Sequence, residues 1–171
     1  MLEKLELCDF DKMFSIIKQS FPPDEYRPYA EQKELFLNEY YSVYALKDRE
    51  ELKAFISVWD FKEFSYAEHF AVNAKFRNCG IGSLVLKKLS EILKNPLCLE
   101  VEPPQTELAK RRIEFYKRNG FYFNDYAYIQ PPISKGKKAI PLCIMTTPCA
   151  ISQEKFEQIK STLYKKVYKV E

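Results

Sequence analysis

The chain has 171 residues, 46% of them hydrophobic and 30% charged, which is the balance of a globular protein long enough to bury a core within one domain. Its formal net charge of only +3 sets up no long-range field of the kind that gathers nucleic acid or an anionic membrane, so neither is expected as a partner. Five cysteines without a C-x-x-C pair, and a single histidine, argue against a disulfide framework and a zinc site; reduced thiols, no metal and a cytoplasmic location are expected. Along the chain, LEKLEL alternates as a short strand, and its charges fall where an export signal needs an apolar core. DFDKMFSIIKQSF sets Met13, Ile16 and Ile17 at helical spacing, with Asp9 or Asp11 as cap candidates. PPDEYRPY breaks that helix because prolines and the residues before them resist the α conformation, and YAEQKELFLN predicts a second short helix. YYSVYAL and ELKAFISVW, separated by the charged turn KDRE, predict a hairpin, and FSYAEHFAV a further strand.

RNCGIGSLVLKKL then opens a helix predicted to reach about Lys94, and PLCLEVE predicts a short buried strand. Thr106 to Asn119 has a helical pattern with Gly120 placed as its left-handed C-terminal cap. FYFNDYAYI and AIPLCIMTT predict two more strands joined by the basic loop SKGKK; the uncharged run AIPLCIMTTPCAIS is too short and too proline-broken to span a bilayer. The end sets Phe156, Ile159, Leu163 and Val167 on one helical face. One domain over residues 1–171 is expected, with a core at about 1–147 and a terminal helix at about 152–168. Strand, glycine loop, helix, strand suggests a parallel crossover in a mixed α/β sheet.

The glycines pose the functional question. The chain has only four, and Gly80 and Gly82 stand one residue apart at the mouth of a helix, where glycine costs about 1 kcal/mol relative to alanine. A helix N-terminus offers unpaired N–H groups and partial positive charge, and glycine removes the Cβ atoms that would keep an anion away. With Arg77 ahead of them, R-x-x-G-x-G between strand and helix suits a phosphate; a plain tight turn is the alternative. A Walker loop fails because Gly82 is followed by Ser83-Leu84, and the dinucleotide fingerprint fails at Val85.

These residues, read as FAVNAKFRNCGIGSLVLKKL, resemble the acetyl-CoA signature of the GNAT superfamily of N-acetyltransferases, V-x(4)-[RQ]-x-x-G-x-[GA] leading into a helix; Val72, Arg77, Gly80 and Gly82 fill its slots. RRIEFYKRNGFYF resembles the superfamily's second motif, a helix carrying a tyrosine and ending in Gly-Phe, with Tyr116, Gly120 and Phe121 in place. Two departures stand out. Ala109 occupies a slot where many members have asparagine, and VEPPQTELAKRRIEF is longer than usual.

The resemblance implies a mixed, mostly antiparallel central sheet with a parallel splayed pair, flanked by helices, plus an extra C-terminal helix. It implies acetyl-CoA as co-substrate, held by Phe70, Ala71, Val72, Arg77, Asn78, Cys79, Gly80, Ile81, Gly82 and Ser83, with the pyrophosphate over residues 77–83 and the Val72 N–H toward the thioester oxygen. The reaction implied is direct attack by a primary amine, which is mostly protonated at neutral pH and needs a base. Two carboxylates compete for that role. Strict alternation in FSYAEHFAV puts Tyr66, Glu68, Phe70 and Val72 on one face, the face that supplies the base in similar members, and His69 on the other as a structural residue. Glu100 in LEV fills the slot of the base glutamate in the superfamily's ribosomal-protein alanine acetyltransferases. Tyr116 is implied as proton donor to the departing thiolate, with core packing as its alternative. Glu25, Arg27 and Glu102 are expected around an acceptor that is a cationic small molecule or peptide amine, in a monomer or homodimer. A non-catalytic acyl-CoA-binding regulatory module is the alternative function.

Overall fold

The computed structural model describes residues 1–170, and the chain divides after Asn95 into two compact units. The first unit is a four-stranded antiparallel meander in the order β1 (Leu2–Lys4), β2 (Tyr41–Asp48), β3 (Glu51–Asp60) and β4 (Ser65–Val72). Its register runs from Tyr41 opposite Trp59 in the hairpin to Ala54 opposite Val72 at the far end of β4. Val58 and Trp59 continue a run from Ala54 that is buried on both strand faces, so β3 is a central strand rather than a half-solvated one.

Three helices cover this sheet. Helix α1 (Phe10–Ser20) turns Met13, Ile16 and Ile17 into the core as their spacing predicts. Asp9 takes its N-cap position without making a capping bond; its carboxylate instead pairs with Lys47 at 2.6 Å and Lys12 at 3.0 Å. After the proline segment, α2 (Tyr29–Glu34) runs into a 3-10 turn over Leu35–Leu37. Helix α3 (Ile81–Ile92) follows β4 and buries Val85, Leu86 and Leu89.

The second unit holds three antiparallel strands in the order β5 (Leu97–Val101), β7 (Ile140–Thr146) and β6 (Tyr122–Gln130), with helix α4 (Glu107–Arg118) between β5 and β6 in sequence. Glu100 sits opposite Ile144, and Tyr128 opposite Leu142. Helix α5 (Gln153–Thr162) begins at Ser152, whose hydroxyl caps the Lys155 N–H at 3.2 Å. Phe156, Ile159, Leu163 and Val167 are all buried, as their spacing predicts. The helix does not finish as an α-helix, however. Leu163–Val167 widen into a π-helical turn closed by the Tyr168 N–H donating to the Leu163 carbonyl at 3.0 Å. No helix among the described residues is long and apolar enough to cross a membrane.

Candidate active site

The glycine segment links β4 to α3 through a tightly braced loop. Asn73 accepts from the Lys75 N–H and donates to the Leu52 carbonyl, and the Arg77 Nε donates to the Val72 carbonyl at 3.1 Å. Arg77 thus ties the loop to the end of β4 and holds its guanidinium beside the turn. Asn78 (φ +62°) and Gly80 (φ +74°) are both left-handed, the conformation glycine adopts without strain. Gly80 is the N-cap of α3 and provides no capping side chain, so the first-turn N–H groups of Ile81, Gly82 and Ser83 receive no cap hydrogen bond from it. A Cβ added at Gly80 would meet no atom within 4 Å. Open space, backbone donors and a helix dipole at one spot fit a phosphate. Lys75 and Lys88, by contrast, are paired with Glu51 and Glu91.

Glu68 sits where β4 departs from regular pleating. Ser57 pairs with His69 and Val58 with Ala67, so Glu68 is the extra residue of a β-bulge. The Ser57 hydroxyl accepts the His69 N–H at 3.0 Å. The bulge also breaks the alternation on which the facing of Glu68 and His69 rests: the His69 Nδ1 lies 3.4 Å from a Glu68 carboxylate oxygen rather than across the sheet from it. The Glu68 side chain is 2% exposed and forms an ion pair with Arg27 at 2.9 Å. Burial pushes the carboxyl up, but the Arg27 guanidinium and the neighbouring His69 outweigh it and hold the group at about 2. His69 Nε2 donates to the Glu25 carbonyl at 2.8 Å, and the Arg27 guanidinium lies over Trp59. Arg27 and Glu25, expected around the acceptor, clamp the proline segment onto the β4 bulge, Arg27 through its guanidinium and Glu25 through its backbone carbonyl.

Tyr116 is positioned by local chemistry that the sequence shows almost completely. Thr106 caps α4 by accepting the Ala109 N–H at 3.1 Å. At the other end, Gly120 (φ +86°) makes a Schellman motif: its N–H donates to the Lys117 carbonyl and the Phe121 N–H to the Tyr116 carbonyl, both at 3.1 Å. The hydrophobic contact that accompanies this motif is Phe121 edge-on to the Tyr116 ring, with centroids 5.5 Å apart. Glycine and phenylalanine in the motif thus aim the tyrosine. Burial raises the Tyr116 phenol to about 12, against a smaller opposing effect of Arg112, so the hydroxyl keeps its proton at every working pH.

Glu100, on β5, is held by two phenols that sequence reasoning did not identify. The Tyr128 hydroxyl donates to Oε1, and the Tyr168 hydroxyl reaches both oxygens, at 2.9 and 2.8 Å. Burial and the Glu100 charge push the Tyr128 phenol up, so it stays a donor. Glu102 lies two residues on, paired with Arg112 at 3.0 Å at the surface. The alternating tyrosines of β6 were a usable signal for Tyr128; Tyr168 had none, because a straight α-helix carries it off the buried stripe. The described residues contain no group of histidine, cysteine, aspartate and glutamate side chains that could hold a metal ion.

Residues 10–121 match the model of the acetyltransferase (GNAT) family. Across 100% of this chain and 99% of its own, a GNAT-family protein of Bacteroides thetaiotaomicron is 36% identical and superposes with a TM-score of 0.92. The ribosomal-protein-S18-alanine N-acetyltransferase of Escherichia coli is 20% identical over 90% of this chain and 96% of its own, with a TM-score of 0.64. An aminoglycoside 6'-N-acetyltransferase complexed with coenzyme A is 17% identical over 86% of this chain and 96% of its own, with a TM-score of 0.63. The last two share the fold. No curated protein matches the chain in sequence.

Proposed function

The chain belongs to the GNAT family of acetyltransferases, and on that premise we propose that it acetylates a cationic primary amine, small molecule or peptide, with Glu100 as the base. Acetyl-CoA, the co-substrate of this reading, supplies the thioester acetyl group. The loop from Arg77 to Ser83 holds its pyrophosphate through backbone N–H groups, with Gly80 leaving the approach clear.

A primary amine is neutral in only about one molecule in a thousand at pH 7, so removing its proton is part of the reaction. Glu100 takes that proton, which frees the nitrogen lone pair to form the C–N bond, and the acylated nitrogen then sheds its second proton to solvent. The C–S bond breaks, and Tyr116 gives its hydrogen to the departing sulfur, to be restored from solvent.

The observation that carries the choice of base is the contrast between the two carboxylates. Glu68 is neutralised in a buried ion pair and held at about 2, far below what base catalysis needs. Glu100 is gripped by phenol hydroxyls, which orient a carboxylate without neutralising it. The test is a panel of amines with acetyl-CoA, following free thiol, on wild type and on Glu100→Gln. Glu100→Gln should lose the low-pH limb of kcat/KM and recover in part at high pH, where the amine arrives neutral. Coenzyme A binding without any acetylated amine would refute the reading.

A further inference from the structure

The π-helical turn at the end of the chain brings a side chain to Glu100. In a continuous α-helix Tyr168 would stand roughly 140° around the axis from Leu163, off the buried stripe. The wider turn, closed by the bond from the Tyr168 N–H to the Leu163 carbonyl, returns Tyr168 toward that stripe, where it is 6% exposed. The chain is secured beyond it by the Val170 N–H donating to the Tyr164 carbonyl at 2.9 Å, with Lys169 left-handed at φ +55°. An interrupted helix costs hydrogen-bond quality, and such turns recur at functional sites. Here the result is one hydroxyl within hydrogen-bond distance of both oxygens of one carboxylate.

We infer that Tyr168, delivered by the π-helical turn, is a positioning residue for acetyl transfer: it fixes the orientation and the basicity of the Glu100 carboxylate from an element outside the matched family segment. The inference rests on Glu100 being the base. Among the described residues, the titratable groups facing Glu100 include Cys98 on its own strand, Tyr128 on β6, and Tyr164 and Tyr168 on the π-helical turn. Hydrogen bonds from phenols favour the charged carboxylate, so removing one raises its pKa and weakens its hold on a single orientation.

The experiment compares Tyr168→Phe with Tyr164→Phe. Tyr164 bonds the Ile129 carbonyl at 2.6 Å from the same turn, so its variant removes a comparable bond that does not go to Glu100. The Glu100 carboxyl is titrated by carbon-13 NMR in glutamate-labelled protein, with the signal assigned by its loss in Glu100→Gln. The kcat/KM profile is measured with acetyl-CoA and whichever of spermidine, kanamycin or an alanine-ended peptide is acetylated. In Tyr168→Phe the carboxyl midpoint and the low-pH limb should both move up by about one pH unit. Its kcat should fall about tenfold, as a carboxylate no longer held in line loses alignment. Tyr164→Phe should move neither the midpoint nor the limb. A folded Tyr168→Phe with both unmoved overturns the inference while leaving Glu100 as base, provided Glu100→Gln has lost the limb. If Glu100→Gln keeps the limb, the base assignment falls, and the positioning role falls with it.

Discussion

Replacing Glu68 with glutamine should damage folding rather than proton transfer. The side chain is 2% exposed and its partner Arg27 5% exposed as a residue, so Glu68→Gln leaves a guanidinium buried without its counter-charge. Two routes give the size of the loss. Lowering a carboxyl from 4.5 to about 2 corresponds to about 3 kcal/mol of folded-state stabilisation, and breaking one partner of a buried ion pair costs roughly 3–5 kcal/mol. The sign with pH follows from the same values. A carboxyl that titrates lower in the folded than in the unfolded chain contributes fully above pH 4.5, and its contribution is lost as the pH falls toward about 2. Urea unfolding at pH 7 should therefore show Glu68→Gln destabilised by about 3 kcal/mol, and wild type should lose stability more steeply than the variant between pH 4.5 and 3. Glu68→Leu combined with Arg27→Met should recover most of the loss, because an apolar pair of similar volume leaves no buried charge behind. A Glu68→Gln protein as stable as wild type that has lost its low-pH activity limb would refute this reasoning and make Glu68 the base.

Three further variants probe the remaining parts of the site. Tyr116→Phe should keep its affinity for acetyl-CoA, measured by calorimetry, and lose about a hundredfold or more in kcat, since the ring packing survives and only the donor is gone. Gly80→Asn and Gly80→Ala should separate turn from ligand: alanine at φ +74° costs about 1–2 kcal/mol of stability, asparagine less, yet both put a Cβ into the open space where the pyrophosphate is proposed to lie and should weaken coenzyme A binding at least tenfold. Unchanged affinity in a folded Gly80→Asn protein would mean the glycine serves the turn alone.

Sequence was most informative where geometry is local. Thr106, Gly120 and Phe121 lie within one helix and its flanks, so the cap, the Schellman bonds and the ring contact that aim Tyr116 follow from residue types at fixed spacing. The same holds for the Gly80 mouth of α3, where a left-handed residue and an uncapped helix start are consequences of a few neighbouring residues. Counting along the chain misled at one place and was silent at another, and at both one residue changes the register. The bulge at Glu68 inserts a residue into β4, which overrides the alternation separating Glu68 from His69, and the partner that neutralises Glu68 is 41 residues away. The π-helical turn does the same to α5, rotating Tyr168 onto a carboxylate 68 residues earlier. A repeat of 2.0 or 3.6 says where side chains point only while it is unbroken. Whether a carboxylate becomes a base or half of an ion pair is set by the charge beside it, and only the folded chain decides which charge that is.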